Sequence, residues 1–434
     1  MDNSGLYVGL DIGTTSIKVI VAEKVKGQLN VIGVGNKPSN GLSRGVIVDI
    51  DQAAEAIRGA VSQAQEKASI EIKDVVVSVP ANMLRIEPCN GLITLDDQSR
   101  EITAEDVRNV AASALGTSLP QEREVIDIQP EEFIVDGFDG IKDPRGMVGV
   151  RLEMRGKLIS GSKGIMHNLQ KAVEKAGLNI VSTVLTPLAE SHVILNDGEQ
   201  DFGTIIVDLG GGQTTASVIH DHQLKYATTD SEGGGYITKD ISIVLNTSMQ
   251  SAEKIKRDYG YADSLQASAD NEFPVEVVGQ TEPTYIDERY LAEIIEARLS
   301  QIFDRIKDRL NQIQALDLPG GIVLTGGVAA LPGIAELAAD QFNTNVRVYI
   351  PDQMGLRHPS FTAALSLVSY FADLADVDMI VRSAVGATLT KVPKLTDSHD
   401  TPDPVSDKPN KPKRQTQKKK RGQGIRNFFS DFFD

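Results

Sequence analysis

The chain has 434 residues, 41% of them apolar, a formal net charge of −16 and one cysteine, Cys89. A length beyond one hydrophobic core predicts roughly two to four subdomains, and the acidic total argues against nucleic acid as a main partner. The lone cysteine excludes an intrachain disulfide or a cysteine-rich zinc site and reads as a small buried side chain. No apolar run approaches the ~20 residues that span a bilayer, and the polar start Met1-Asp-Asn-Ser-Gly is unlike a secretion signal, so a cytoplasmic protein is expected.

Leu6-Tyr-Val-Gly-Leu is a strand-like run that turns at Asp11-Ile-Gly13-Thr14-Thr15 and returns through a β-branched run carrying Lys18. The pattern is a hairpin with a glycine-rich tip. A helix is expected over Asp51 to Ala68, with an apolar face of Ala54, Ile57, Val61 and Ala64. From Pro80 to Gly161 the pattern shifts to short strands, at 92–95, 124–129, 132–135 and 146–153, around a helix over 103–115; this predicts a small inserted α+β unit. A helix over 163–176, a strand over 181–185 and a helix from Pro187 through Leu195 follow.

The second half opens with Thr204-Ile-Ile-Val and repeats the tip as Asp208-Leu-Gly210-Gly211-Gly212-Gln213-Thr214-Thr215. His220-Asp-His222 reads as the solvated turn of the next hairpin rather than a metal site. Residues 233–313 are expected to form a second, mostly helical insertion, entered through Glu232-Gly-Gly234-Gly235 and closed by a long amphipathic helix over 287–313. Gly321-Ile-Val-Leu-Thr-Gly326-Gly327 is a buried strand with a glycine turn, followed by a helix from about Pro332. A helix over 359–375 closes the globular part.

These tips have a specific chemistry. Glycines let backbone N–H groups approach phosphate oxygens, threonine hydroxyls add donors, and Asp11 and Asp208 are placed to hold Mg²⁺ through its water shell. Lys18 adds a cation, Asp208 is the one candidate catalytic group, and the Gly326-Gly327 turn can pack flat against a purine. Glu253 and Lys256 share one helix face, a spacing that alone describes an ordinary solvated pair; with Gly234 they complete the candidate nucleotide set. Neither tip is a Walker A loop or a Rossmann fingerprint, because no Gly-Lys-Ser/Thr follows and no helix opens at the glycines.

After about Thr388 the composition turns to Pro, Asp, Ser, Thr and Lys, predicting a disordered linker over 388–417. Residues 407–434 carry nine Lys or Arg against three Asp. Lys418, Lys419, Lys420, Arg421 and Arg426 flank Ile425, Phe428, Phe429, Phe432 and Phe433, whose spacing places all five on one face of a helix. The pattern fits an in-plane anchor on anionic lipid better than a groove-docking helix. A buried Phe contributes at most about 1.5–3 kcal/mol and a basic residue about 1 kcal/mol. One tail is therefore expected to bind reversibly, and several tails on one filament far more firmly.

The three elements strand-Asp-x-Gly-Thr-Thr, strand-Asp-x-Gly-Gly-Gly-x-Thr and strand-Thr-Gly-Gly, in that order, are similar to the superfamily of actin, heat-shock chaperone and sugar-kinase ATPases. Within it the chain resembles the FtsA family of bacterial cell-division proteins. That narrower resemblance rests on Ser43-Arg-Gly-Val-Ile-Val-Asp49, Gly140-Ile-Lys-Asp-Pro-Arg-Gly-Met-Val-Gly-Val-Arg-Leu152, Tyr290-Leu-Ala-Glu-Ile-Ile-Glu-Ala-Arg298 and the tail. It implies an α/β, actin-like two-lobed ATPase fold with an inserted α+β subdomain and a C-terminal amphipathic membrane-targeting helix. The implied division is 1–83 with 161–202 (subdomain 1A), 84–160 (1C), 203–232 with 314–387 (2A) and 233–313 (2B), then the linker and the segment 418–434. It also implies ATP and Mg²⁺ as ligands, self-association into filaments, and tethering of the tubulin-like FtsZ at the cytoplasmic face of the membrane at the division site. The FtsZ tail would dock on 233–313 with Arg298 a contact, and other division proteins on 84–160.

Related ATPases carry a Glu-Pro or similar element before the second tip, whereas this chain has Thr186-Pro187-Leu-Ala-Glu190. Thr186 stands where the acid would be; Glu190, one turn later, either compensates or is a helix surface residue. Slow hydrolysis at most is expected. A kinase or chaperone ATPase is the alternative, but a chaperone would need a folded domain after residue 390, where the sequence has a linker and a short amphipathic segment.

Overall fold

A computed structural model describes residues 5–95, 99–116 and 119–385, so the linker and the segment 418–434 lie outside the described residues. Both halves of the chain build the same five-stranded sheet. In the first, Gly5–Ile12 pairs antiparallel with Ser16–Val25, and Ser16–Val25 with Gln28–Pro38; on its other side Gly5–Ile12 runs parallel to Asp74–Val79, which runs parallel to Asn179–Leu185. In the second, Thr204–Leu209, Thr214–His220 and Gln223–Asp230 form the antiparallel half, and Ile322–Thr325 and Val346–Val348 add in parallel. The parallel strands require crossovers, which supply the helices that cover the sheets. His220 and Gln223 flank a two-residue turn in which Asp221 and His222 both have positive φ, the backbone of a tight hairpin.

Helix Ile50–Ala68 shows how local sequence positions an element. Asp49 caps it, accepting from Asp51 N and Gln52 N at 3.0 Å each. Its buried face, Ala53, Ala54, Ile57, Ala60, Val61 and Ala64, is narrow enough to lie directly on strand Gln28–Pro38. A Cβ at Gly35 would collide with the Ala60 carbonyl oxygen, so that close approach requires glycine.

The inserted unit is a four-stranded antiparallel sheet in the order Phe138–Ile141, Arg123–Val135, Arg151–Ser162, Arg85–Thr94, with helix Ala104–Ala114 on it. Its strands are longer than the sequence patterns suggest. The two short strands expected at 124–129 and 132–135 are one strand with a register shift opposite Gly156, where Pro130, which has no N–H to donate, interrupts the alternation. Likewise the segment expected at 146–153 divides: Val148–Gly149 pairs with Arg100–Glu101, and Arg151–Ser162 runs on between Arg123–Val135 and Arg85–Thr94. Cys89 is buried there, and burial pushes its thiol up to about 11.

Helix Ala104–Ala114 opens with a capping box in which Thr103 and Asp106 bond each other's backbone N–H, and Arg100 grips both Asp106 oxygens at 2.7 and 2.8 Å. The Arg100 guanidinium, with the Thr103 bonds, holds the Asp106 carboxyl well below the usual carboxylate range. A depressed carboxylate stabilises the fold fully above its unfolded pKa and loses that contribution as pH falls through the folded value. Asp106→Ala is therefore expected to cost about 2–3 kcal/mol at pH 7. The deficit should hold from pH 7 down to about 4 and begin to narrow only below that, the unfolded value of an Asp carboxyl, as read by melting both proteins between pH 7 and 3.

Two findings revise the C-terminal reading. The helix expected over 359–375 is a 3₁₀ turn at Pro359–Phe361 followed by helix Thr362–Asp373, and a further helix, Asp376–Ser383, comes after it. Helix Thr362–Asp373 packs on the first half, where Leu367 and Phe371 join Val76, Val184 and Ala189, and the last helix buries Val377 and Val381 in the core of the inserted unit, with Val107, Val110, Ile128 and Phe133. Helix Glu288–Gln312 seals the second sheet with Leu291, Ile295, Leu299, Phe303, Ile306 and Leu310. Among the described residues no helix is long and apolar enough to cross a membrane.

Candidate functional site

Each tip is a short link between two buried strands, so the fold places both at the ends of their sheets. They meet at one cleft of about 880 Å³. Asp11, Gly13, Thr14, Thr15 and Lys18 line it from the first half; Asp208, Gly210, Gly211, Gly212, Gln213, Thr215, Gly234, Glu253, Lys256, Gly326 and Gly327 line it from the second. Thr214 is the exception among the singled-out residues. It is fully buried and its hydroxyl donates to the Glu232 carbonyl at 3.0 Å, tying the tip to the next turn.

The tips are braced rather than loose. Ser78, at the end of strand Asp74–Val79, donates to Asp11 Oδ1 at 2.9 Å; Gly45 N donates to Thr14 Oγ1 at 2.9 Å, and Asn82 Nδ2 to Gln213 Oε1 at 2.9 Å. Gly234 N and Gly235 N donate to Gly210 O and Gly211 O at 2.9 and 2.7 Å, so helix Gly234–Val244 starts on the second tip. Glu253 and Lys256 are not an ordinary solvated pair, since Lys256 is buried and Glu253 half-buried. Lys256 Nζ bonds Glu253 Oε2 at 2.6 Å, Thr238 Oγ1 at 2.7 Å and the Gly234 carbonyl at 3.0 Å.

The charges in the cleft are strongly coupled. Burial, and then the neighbouring Asp11, push the Asp208 carboxyl up to about 6 against the pull of Lys18. Burial drives the Lys18 ammonium down while Asp11 and Asp208 oppose it. Glu190 is not on a helix surface. It is 3% exposed, lines the cleft, and burial with Asp208 and Asp11 raises its carboxyl well above the ordinary range. Thr186 Oγ1 donates to the Val79 carbonyl at 3.2 Å.

The donor set fits a hydrated divalent cation between phosphates and two carboxylates. Glu190 Oε1 is buried with no hydrogen-bond partner, and Asp11 and Asp208 face a buried lysine. Among the described residues no group of three or more His, Cys, Asp or Glu could hold a metal alone. Four residues not singled out in the sequence belong to the cleft: Ser78, His358 and Ser360 line it, and Asn82 holds Gln213. Ser78 had a faint signal, a hydroxyl inside the apolar run Val75–Val79; the others had none.

Arg298 is committed internally. Its guanidinium bonds Asp240 at 2.5 and 3.0 Å and Glu232 at 3.0 Å, and its side chain is 19% exposed. Arg305 adds bonds to Asp230 and Glu232, so helix Glu288–Gln312 is strapped to the turn that carries Gly234.

Two copies of one sheet that share a cleft between their glycine tips, with an α+β unit inserted in the first half, define an actin-like protein. A solved structure of the PilM-PilN type IV pilus biogenesis complex is similar at a TM-score of 0.59 and 15% identity, covering 85% of this chain and 99% of that one. MreB5 of Spiroplasma citri bound to ADP is similar at 0.52 and 14%, covering 85% and 96%. The family model "Cell division protein FtsA" matches residues 205–366, and "SHS2 domain inserted in FTSA" matches 81–160. Cell division protein FtsA of Enterococcus hirae is 54% identical over 445 residues, covering 100% of both chains. The chain belongs to the FtsA family of cell-division proteins.

Proposed function

We propose that the cleft binds ATP with Mg²⁺ held through water by Asp11 and Asp208, and that nucleotide sets cleft closure and thereby self-assembly. The assembled protein tethers tubulin-like FtsZ to the cytoplasmic face of the membrane at the division site, with residues 418–434 as the anchor. The observation that carries this reading is the convergence of both tips, Lys18, the Glu253–Lys256 pair and the Gly326-Gly327 turn on one cleft. ADP in the similar MreB5 structure supports a nucleotide as its occupant. In this reading the subdomains are 1–83 with 161–202, 84–160, 203–232 with 314–387, and 233–313, with helices Thr362–Asp373 and Asp376–Ser383 at the end of the third packing on the first and second, and the 84–160 unit recruits other division proteins.

The FtsZ tail docks on the 233–313 unit, which exposes Ile243, Val278, Tyr285 and Tyr290. There Arg298 orders its helix from within, and a partner competes for its charge with Asp240 and Glu232. Nucleotide binding by full-length protein and by a chain ending at Asn410, each also tested for co-sedimentation with anionic liposomes with and without ATP, checks the division of labour. The shortened chain is expected to keep nucleotide and lose lipid. Equal sedimentation of both would refute the anchor, and a non-assembling variant that binds lipid as tightly as the full chain would refute its dependence on assembly.

A further inference from the structure

The run Ser43-Arg-Gly-Val-Ile-Val-Asp49 builds a feature that the phosphate clamp does not use. Leu42–Ser43 and Val46–Ile47 pair as a small hairpin, and its two turn residues, Arg44 and Gly45, both have positive φ, 50° and 76°. A two-residue turn of this kind favours Asn, Asp or Gly at its first position. Turn chemistry therefore does not account for an arginine there, and residues that break a local rule in this way mark functional sites.

The turn sits against both glycine tips. Gly45 lines the cleft and donates its N–H to Thr14 Oγ1 of the first tip at 2.9 Å. A Cβ on Gly45 would collide with the Gln213 amide of the second. Asn82 Nδ2 ties the two together, donating to Arg44 O at 3.2 Å and to Gln213 Oε1 at 2.9 Å.

The Arg44 side chain is exposed, and the one hydrogen bond it makes among the described residues runs from Nη2 to the Tyr236 hydroxyl at 3.0 Å. Tyr236 belongs to helix Gly234–Val244, which starts on the second tip. A guanidinium carries five N–H donors in a planar fork that matches phosphate. A single neutral hydroxyl leaves most of that capacity unused. The buried cations of the cleft are already engaged, Lys18 with Ser16 Oγ at 2.6 Å and Lys256 with Glu253 at 2.6 Å.

We propose that Arg44 tells a nucleoside triphosphate from a diphosphate, which it can do only if the cleft binds nucleotide at all. With the purine on the Gly326-Gly327 turn and the phosphates running to the tips, the terminal phosphate is the group that meets Thr14, Gln213 and this hairpin. Arg44 then exchanges the Tyr236 hydroxyl for charge-assisted bonds to that phosphate. A diphosphate offers no such group, and Arg44 stays on Tyr236.

The test measures, by calorimetry, the dissociation constants of Mg-ADP and of a non-hydrolysable Mg-ATP analogue for full-length protein, Arg44→Ala, Arg44→Lys and Tyr236→Phe. Arg44→Ala is expected to weaken the triphosphate on the order of tenfold, about 1.4 kcal/mol, and to hold the diphosphate within about twofold. Arg44→Lys should fall in between, because a point charge replaces the fork. Tyr236→Phe removes the competing acceptor and is expected to bind the triphosphate as tightly as the parent or more tightly. If Arg44 only strapped the hairpin to the helix, Arg44→Ala and Tyr236→Phe would weaken both nucleotides alike, and that result overturns the assignment. An unchanged ratio of triphosphate to diphosphate affinity in Arg44→Ala also overturns it and leaves the nucleotide site standing. Should Arg44→Ala fail to fold, the ratio is read from Arg44→Lys with the same two outcomes. A parent that binds neither nucleotide sinks the nucleotide reading together with this one.

Discussion

Arg382→Ala is expected to destabilise the protein by about 3–5 kcal/mol, because it strands a buried carboxylate. Arg382 and Asp127 are 7% and 4% exposed and pair at 3.1 Å, and Arg382 also donates to the Tyr370 hydroxyl at 2.6 Å. Without the guanidinium, Asp127 keeps only Ile128 N at 3.0 Å and Gln129 Nε2 at 3.3 Å. Burial already pushes the Asp127 carboxyl up, with Arg382 pulling against it. A carboxyl raised above its unfolded value stabilises the fold below the unfolded pKa and loses that contribution as pH rises through the folded value. The deficit of Arg382→Ala should therefore be larger at pH 8 than at pH 5. Thermal melts at both values check the sign, and hydrogen exchange over 376–383 checks the place, since this pair joins the last described helix to the inserted unit. Asp127→Asn with Arg382→Met removes both charges and is expected to recover most of the loss. If that pair of changes is as damaging as Arg382→Ala alone, the stranded charge is not the cause.

Gly326→Ala is expected to lower nucleotide affinity roughly 100-fold, about 2.7 kcal/mol, and to cost stability as well. Gly326 has φ 89° and ψ 167°, a region essentially reserved for glycine. A Cβ there would collide with Asp208 Oδ1 and stand 2.6 and 2.7 Å from Leu209 backbone atoms. The side chain that must yield is thus the carboxylate at the second tip. Strain of about 1–3 kcal/mol falls on the fold, and displacement of Asp208 falls on the ligand. Gly355→Ala separates the two, because Gly355 also has positive φ but nothing within 4 Å of an added Cβ. It should share the strain and keep the affinity, as measured with a fluorescent nucleotide. Equal affinity in all three proteins would mean that Asp208 does not touch the ligand's phosphates or their metal.

The repeated tips were legible because every part of the signal is local. A strand of alternating or continuous apolar residues, a glycine turn and a returning strand are contiguous, and they carry their own hydrogen bonds wherever they are placed. The same holds for helix Ile50–Ala68, whose cap and apolar face lie within one segment. Glu190 was not legible. Its helix is buried on nearly every side, so no polar face existed to say where a charged residue points, and charge alone suggested the surface. The internal partners of Arg298 were not legible either, since the acids that hold it, Asp240 and Glu232, come from 58 and 66 positions earlier in the chain. The helix Asp376–Ser383 has a short apolar stripe whose partner is the inserted unit, and nothing local distinguishes that partner from any other apolar surface.

By itself, then, the sequence determined the paired glycine tips, the glycine turn at Gly326, the inserted α+β unit and the family, because these depend on contiguous patterns of backbone freedom and side-chain period. Only the tertiary structure decided which charged groups are buried. It turned Glu190 into the cleft, locked Arg382 to Asp127 and tied Arg298 to Asp240 and Glu232. Burial is set by what folds over a residue from elsewhere in the chain, and the free energy of a charge depends on that cover more than on its neighbours in sequence.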